Sequence, residues 1–156
     1  MKDLSISEQK VNGRLYHVLS YDGCQNTNQP SSPKIPVSRV VLGIPVSANC
    51  SVRIIDASNV VEKQSYRVLP VPQVDYQQSD SEEIPVTKFV YRENDSVYQS
   101  VGFYPQKTAE IVNEGLIRNQ RVVTVQLCPI QYSPRRRTVK IHSQLTVRVD
   151  FNVPSS

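Results

Sequence analysis

Strict alternation of apolar and polar side chains near the end of the chain constrains its fold more than any other feature. Residues 145–151 read LTVRVDF and residues 121–128 read RVVTVQLC, so apolar residues recur at every second position. Successive side chains of a β-strand point to opposite faces of the sheet, and this period of two predicts strands with one buried face. We expect the apolar residues from Leu145 to Phe151 to face the core.

Similar short patterns recur along the rest of the chain. Eleven prolines and five glycines among 156 residues favour short segments joined by turns, and the weak helix candidate at 108–115 is short, contains a valine and would end at Gly115. We therefore predict an all-β fold, an antiparallel β-sandwich of jelly-roll-like character with two packed sheets. Its further strands are predicted at 14–21, 39–44, 51–56, 60–68 and 138–142, with 39–44 and 51–56 close enough in sequence to be antiparallel neighbours.

The length of the chain suits a single domain over residues 1–156. We expect residues 1–12 to be a loose N-terminal segment and residues 152–156 to begin a linker to a downstream domain. Residues 73–96 carry six acidic and two basic groups and show little periodicity. They are predicted to form a long acidic loop, and loops of that length in compact domains tend to be functional or disordered.

No constellation of catalytic or metal-binding residues emerges from the sequence. Cys24, Cys50 and Cys128 are an odd number without C-x-x-C spacing, which implies neither a disulfide framework nor a zinc site. His17 and His142 fall within strand patterns, where imidazole is seldom a catalytic base. Cys128 ends an apolar strand and is expected to be a buried thiol. We predict no enzymatic activity, no metal and no cofactor.

The charge pattern also argues against a nucleic-acid partner. The net charge is only +4, and Arg135, Arg136 and Arg137 form the single run of basic residues. Three adjacent arginines at a strand end are typical of a solvated turn. No apolar run has the length of a membrane-spanning helix, so we expect no membrane insertion. The domain is predicted to act by contact with another protein.

One motif near the C-terminus has a clear physical interpretation. In residues 121–134, RVVTVQLCPIQYSP, Pro129 ends a strand because it lacks an N–H group, and Pro134 opens a turn. Tyr132 is expected to place its ring at the edge of the core with its hydroxyl outward. The motif, including Gln131, is similar to the R-x-x-x-V-x-V-x-P-V-Q-Y-N-P pattern in the propeptides of gingipain-family cysteine peptidases. Weaker similarities to that family in the same order are residues 33–46 (PKIPVSRVVLGIPV), Leu69 with Pro70 and Pro72, and Tyr104 with Pro105.

The resemblance implies a secreted or cell-surface propeptide that assists folding of a downstream cysteine peptidase domain and keeps it inactive. Its partner is that catalytic domain in cis, or in trans after cleavage. The family's propeptide lays a loop across the active-site cleft, and in relatives selective for basic residues a basic side chain can enter the specificity pocket. Lys88 and Arg92 are the candidates within the acidic loop, and the turn of Arg135 to Arg137 is a candidate processing site.

The principal alternative is a cell-surface adhesion or carbohydrate-binding β-sandwich, because fold alone does not determine function. Such modules usually display exposed aromatic platforms, whereas this chain has no tryptophan. A structural linker domain in a large exported protein is a further possibility. The nature of the downstream domain distinguishes these alternatives.

Overall fold

Strands dominate the structure. The computed structural model describes residues 4–77 and 86–153. In chain order the elements are β1 (Leu4–Val11), β2 (Arg14–Tyr21), β3 (Gln25–Asn26), β4 (Pro36–Ile44), β5 (Asn49–Gln64), β6 (Gln73–Gln77), β7 (Val86–Val90), α1 (Asp95–Tyr98), β8 (Ala109–Ile117), β9 (Gln120–Leu127), β10 (Ile130–Ser133) and β11 (Thr138–Asn152).

The strands form two larger sheets and two hairpins. One sheet has the order β3-β4-β9-β8 and the other the order β10-β11-β5, while β1 pairs with β2 and β6 pairs with β7. Every ladder between the described strands is antiparallel. The prediction of an all-β antiparallel sandwich is confirmed.

The N-terminal segment is ordered, and the expectation that residues 1–12 are loose was wrong over the described part. β1 pairs with β2 along its whole length. Asn12 and Gly13 form the connecting turn with φ values of 53° and 74°. An Asn-Gly pair favours the two-residue hairpin turn, because both positions need a positive φ. The hairpin is therefore encoded locally at Asn12 and Gly13.

Two pairs of predicted strands are single long strands in the structure. The segments 51–56 and 60–68 were expected to be separate, but β5 runs continuously to Gln64 and pairs with β11, which itself continues through Ser143. The predicted breaks, at residues 57–59 and 143–144, contain neither glycine nor proline, so the backbone hydrogen bonds continue across them. The ladder accommodates one irregularity, between Thr146 and Val147.

Consecutive strands β4 and β5 lie in different sheets, which corrects the expectation that 39–44 and 51–56 are neighbours. β4 pairs with β9 and β5 pairs with β11. The connection turns at Pro45, whose carbonyl oxygen accepts a hydrogen bond from the Ala48 N–H at 3.1 Å. Connections that pass from one sheet to the other are a normal feature of sandwiches, so closeness in the chain does not determine which strands pair.

The core lies where β2, β10 and β11 meet. Its buried members are Leu19, Ile35, Val68, Ile130, Tyr132 and Val139, with Leu4 and Ile6 of β1 among the half-buried side chains that pack against them.

Burial decreases along β11, from Val139, which is fully buried, to Phe151, which is 45% exposed. The predicted alternation therefore holds in period, but Leu145, Val147 and Val149 are only half-buried and Phe151 is exposed, so none of them belongs to the core cluster as expected. This end of the long ladder lies away from the core cluster.

The acidic segment 73–96 is not a continuous loop. It contains the paired strands β6 and β7 and the helical turn α1, so the prediction of a long loop was wrong for these parts. Residues 78–85 lie outside the described part of the chain. At the other end β11 extends to Asn152, which corrects the expected start of a linker there, and residues 154–156 lie outside the described part.

Candidate functional site

The hairpin of β6 and β7, here called the arm, pairs only with itself among the described strands. Paired residues on neighbouring strands share a face, which puts Val74 beside Phe89 and Asp75 beside Lys88. Val74 is 47% exposed and Phe89 is 59% exposed. One face of the arm therefore presents an apolar pair to solvent, and the other presents a charged pair.

The two basic residues predicted in this segment occupy different places. Lys88 is exposed on β7, whereas Arg92 is exposed after the strand, at the foot of the arm. The residue after Arg92 is Glu93, which is held tightly by the body of the domain. Lys88 thus belongs to the arm itself and Arg92 belongs to its attachment.

Glu93 lies at the centre of a partly buried cluster of charged and polar groups. The Arg67 guanidinium donates to both carboxylate oxygens, with distances of 2.6 Å from Nη2 to Oε1 and 2.9 Å from Nε to Oε2. The Tyr16 hydroxyl donates to Oε2 at 2.7 Å, and Arg14 lies 3.5 Å away. The side chains of Glu93 and Arg67 are only 16% and 25% exposed. We call Glu93, Arg67 and Tyr16 the clamp.

The pKa of Glu93 reflects this environment. Burial by itself would raise its pKa, but hydrogen bonds from Arg67 and Tyr16 and the nearby positive charges outweigh burial and hold the pKa below its ordinary value of 4.5. The clamp therefore keeps Glu93 ionised at neutral pH. In the same cluster, burial and then the interaction with Glu93 raise the pKa of Tyr16.

Ser31 joins the two stems of the arm, which are residues 71–72 before β6 and residues 91–94 after β7. Its N–H donates to the Val71 carbonyl oxygen at 2.9 Å, and its own carbonyl oxygen accepts from the Asn94 N–H at 2.9 Å. Its hydroxyl accepts from Gln73 Nε2 at 3.0 Å. Ser31 has a φ of 69°, a region that non-glycine residues seldom occupy. This backbone conformation aims its N–H and carbonyl groups at opposite stems.

Sequence reasoning missed the clamp and the Ser31 junction. Arg67 and Glu93 are 26 residues apart, and Tyr16 and Glu93 are 77 residues apart. No local motif marks contacts of such separation. The one indication of the clamp in the sequence was Glu93 itself, an acidic residue close to the β-prone run at 89–91.

The motif residues from Pro129 to Pro134 build the core rather than an exposed surface. Gln131 donates from Nε2 to the Pro105 carbonyl oxygen at 2.8 Å, and its Oε1 lies 3.0 Å from His142 Nε2. Pro129 separates β9 from β10, as predicted, and its carbonyl oxygen accepts from the His142 N–H. Pro134 is buried at the start of the turn before β11.

Tyr132 corrects one prediction. Its side chain is 1% exposed, and its hydroxyl points inward to donate to the Tyr66 carbonyl oxygen at 3.0 Å. Backbone groups of Tyr132 also pair with those of Tyr104, with 2.8 Å in each direction. The ring is fully within the core because β10 is covered by the segments that contain Tyr66 and Tyr104.

The turn of Arg135 to Arg137 exposes its side chains but holds its backbone. Arg135 donates its N–H to the Ser100 carbonyl oxygen at 3.2 Å, and the carbonyl oxygen of Arg137 accepts from the Tyr66 N–H at 3.2 Å. Arg136 lies between them and is also exposed. The turn therefore joins two strands and is tied to two other segments.

The cysteines and histidines do not assemble a catalytic pair among the described residues. Cys128 is fully buried, as predicted, and burial raises the pKa of its thiol to about 11. His17 accepts from the Arg67 N–H at Nδ1, while His142 contacts Gln131 through Nε2. Burial and the nearby Lys140 lower the pKa of His142. A buried neutral thiol is a poor nucleophile.

Neither a metal site nor a membrane span is found in the described ranges. Residues 4–77 and 86–153 contain no group of three or more His, Cys, Asp or Glu side chains that would hold a metal ion. Within the same ranges, no helix has the length and apolar character needed to cross a bilayer.

Comparisons with known proteins agree with this architecture. The chain is 24% identical over 153 residues to Lys-gingipain of Porphyromonas gingivalis, covering 96% of this chain and 9% of that protein. It is 24% identical over 149 residues to gingipain R1 of Porphyromonas gingivalis, covering 96% of this chain and 14% of that protein. The chain thus spans a small fraction of the curated relatives that it matches.

Two solved structures share the fold. The complex of Porphyromonas gingivalis RgpB pro- and mature domains matches with a TM-score of 0.79 and 19% identity, covering 96% of this chain and 75% of that chain. A structure on the zymogenic latency of gingipain K from Porphyromonas gingivalis matches with a TM-score of 0.68 and 21% identity, covering 96% of this chain and 81% of that chain.

The family model described as Propeptide_C25 matches residues 1–156, the entire chain. A match of this extent establishes the family, as the motif around Tyr132 had suggested. The chain is therefore a non-catalytic propeptide domain that belongs to the Propeptide_C25 family.

Proposed function

We propose that this domain assists the folding of a gingipain-like cysteine peptidase domain and keeps it latent by laying the arm across its active-site cleft. The observation that carries the proposal is the arm itself, a hairpin that stands apart from both sheets and is anchored at its base. The family and the relatives, whose structures include a pro- and mature-domain complex, support a peptidase domain as the partner.

The exposed side chains of the arm suit a surface that contacts another protein. An isolated two-stranded hairpin is marginally stable in water, and the exposed pair of Val74 and Phe89 adds apolar surface that a partner would cover. Pairing of β6 with β7 reduces the chain entropy lost on binding, because the described part of the arm is already folded.

Lys88 is the better candidate for the specificity pocket of a peptidase selective for basic residues. It lies on the arm and is exposed, and its cross-strand neighbour Asp75 is exposed as well. Arg92 lies at the foot, next to the clamped Glu93, where it has less freedom to reach into a cleft. We assign Lys88 to the cleft and Arg92 to the rim of the contact.

The arginine turn is proposed as a site of late processing. A peptidase needs several residues in extended conformation, whereas Arg135 and Arg137 are tied to Ser100 and Tyr66 through their backbones. Cleavage at this turn would then follow local opening of the domain rather than begin its release. The same reasoning applies to a partner acting in cis or in trans.

We place the complex outside the cell, on the cell surface or secreted, because the matched relatives are gingipains. The adhesion alternative stays second, because such modules usually display exposed aromatic platforms and this chain has no tryptophan.

The test is inhibition of the peptidase domain of the same precursor by the purified chain. A matched variant with a shortened arm replaces residues 74–89 by Asn-Gly, so that Val74, Phe89 and Lys88 are removed and a two-residue turn closes the hairpin at the Gln73–Val90 pair. We expect the intact chain to inhibit and the shortened chain to inhibit at least tenfold less. Equal inhibition by the two chains would refute the role of the arm.

Lys88→Ala and Arg92→Ala form a second matched pair, since both residues are exposed and basic. We expect Lys88→Ala to weaken inhibition more. A larger effect of Arg92→Ala would reverse the assignment. If the intact chain does not inhibit but raises the yield of active peptidase during refolding, only the folding role would stand.

A further inference from the structure

The arm is attached to the domain at two levels. At the lower level, Ser31 binds both stems through Val71 and Asn94, which fixes where the arm leaves the body. The Val71 N–H also donates to the Ser32 carbonyl oxygen at 2.8 Å, so the stem before β6 is held by two adjacent residues, whereas the stem after β7 is held at this level by Ser31. A second attachment is needed to fix the direction of the arm.

The clamp supplies this second attachment on the exit stem. Glu93 lies between Asn94, which is tied to Ser31, and β7, which ends at Val90. Tyr16 on β2 and Arg67, whose backbone N–H is hydrogen-bonded to the neighbouring His17, both donate to its carboxylate. Two donors on neighbouring segments restrict the rotation of a carboxylate far more than one donor does.

Three features distinguish this contact from an ordinary surface ion pair. It is bidentate, both partners are largely buried, and the Arg67 guanidinium also lies 5.8 Å from the centre of the Tyr16 ring. Asn12 adds a bond from Nδ2 to the Tyr91 carbonyl oxygen at 3.1 Å, so the turn of the β1–β2 hairpin holds the same stem.

We propose that Glu93 is a positioning residue, which acts through Arg67 and Tyr16 to fix the direction in which the arm reaches the peptidase. This inference rests on the proposed function, since it assumes that the arm meets the cleft. Glu93 itself touches the body of the domain and need not touch the peptidase. Its effect is on the fraction of molecules whose arm is correctly aimed.

The size of the effect follows from that fraction. When a binding-competent conformation is populated to a fraction f, the apparent dissociation constant rises by 1/f. If loss of the clamp leaves roughly one molecule in ten correctly aimed, the inhibition constant rises about tenfold. The contacts made by the arm in the complex stay the same.

A double-mutant experiment separates positioning from contact. Glu93→Gln keeps the size of the side chain and removes its charge, and it is made in the full-length chain with the intact arm and in the chain with the shortened arm. Glu62→Gln on β5, an exposed acidic residue for which no ion pair is described, is the control for the same chemical change. Thermal unfolding of each variant verifies that it is folded.

We expect Glu93→Gln to raise the inhibition constant about tenfold with the intact arm and not at all with the shortened arm. Tyr16→Phe, which keeps the ring and the ion pair, should show a smaller rise with the same dependence on the arm. Glu62→Gln should change neither value.

Two other outcomes would count against the proposal in different ways. No change with the intact arm, or an equal rise in both backgrounds, would refute positioning by Glu93 while leaving the inhibitory arm in place. Inhibition that does not depend on the arm at all would refute the proposed function, and the positioning role with it.

Discussion

Tyr132 offers a direct test of how the core of this domain is held together. Two substitutions separate its ring from its hydroxyl. Tyr132→Phe removes only the O–H that donates to the Tyr66 carbonyl oxygen at 3.0 Å. Tyr132→Ala also removes a ring that is 1% exposed and packs with five other buried residues.

The expected magnitudes differ by a factor of about three to five. A hydrogen bond between neutral groups contributes a net ~0.5–1.5 kcal/mol, so Tyr132→Phe should lower the free energy of unfolding by about 1 kcal/mol. Truncation of a buried aromatic residue to alanine costs about 3–5 kcal/mol, because packing is lost and a cavity remains. For a domain of this size, 1 kcal/mol corresponds to a fall in Tm of roughly 2–4 °C.

Equilibrium unfolding in urea measures both values, provided that the slope of the free energy against urea concentration is unchanged. Ile130→Val, a smaller change at another fully buried core position, is the matched control and should cost about 0.5–1.5 kcal/mol. If Tyr132→Phe costs as much as Tyr132→Ala, the ring is not the main contribution. If Tyr132→Phe costs nothing, the bond to Tyr66 does not stabilise the fold.

The remaining predictions concern titration, proteolysis and thiol reactivity. The pKa of Glu93 is lowered in the folded state, so its contribution to the free energy of unfolding is present above about pH 4.5 and is lost as pH falls through the lower folded pKa. The difference in stability between the chain and Glu93→Gln should therefore shrink on acidification. A constant difference measured by urea unfolding would contradict this. Limited trypsin digestion followed by mass spectrometry should cut the arm at Lys88 before the tied turn at 135–137, and early cleavage at the turn would contradict its ordered backbone. Iodoacetamide should label the half-buried Cys24 well before Cys128, whose pKa is raised to about 11, and rapid labelling of Cys128 in the native chain would show that it is accessible.

Local patterns determined the strand content and the family. Alternation at 121–128 predicted a strand with one buried face; Val123 and Val125 are buried, but Gln126 and Cys128 on the opposite face are buried as well. The proline-bounded motif around Tyr132 led to the family that matches the entire chain. These properties depend on residues close together in sequence. The Asn12–Gly13 turn belongs to the same class, since its dihedral preferences are local, although its significance was not recognised from the sequence.

Long-range choices were not predictable in this way. Alternation says that a segment is a strand but not which strand it pairs with, so β5 was not assigned to β11. The weak pattern at 73–96 also hid the arm, because a hairpin with two exposed faces lacks the contrast between buried and exposed positions that marks a core strand.

The sequence by itself determined that this protein is a β-sandwich of the Propeptide_C25 family, because side-chain period and motif residues act over a few positions. Only the tertiary structure decided which strands became neighbours, how Tyr132 was buried and how Glu93 met Arg67 and Tyr16. Those contacts join residues tens of positions apart, and their formation depends on the packing of the whole chain rather than on the preferences of any one segment.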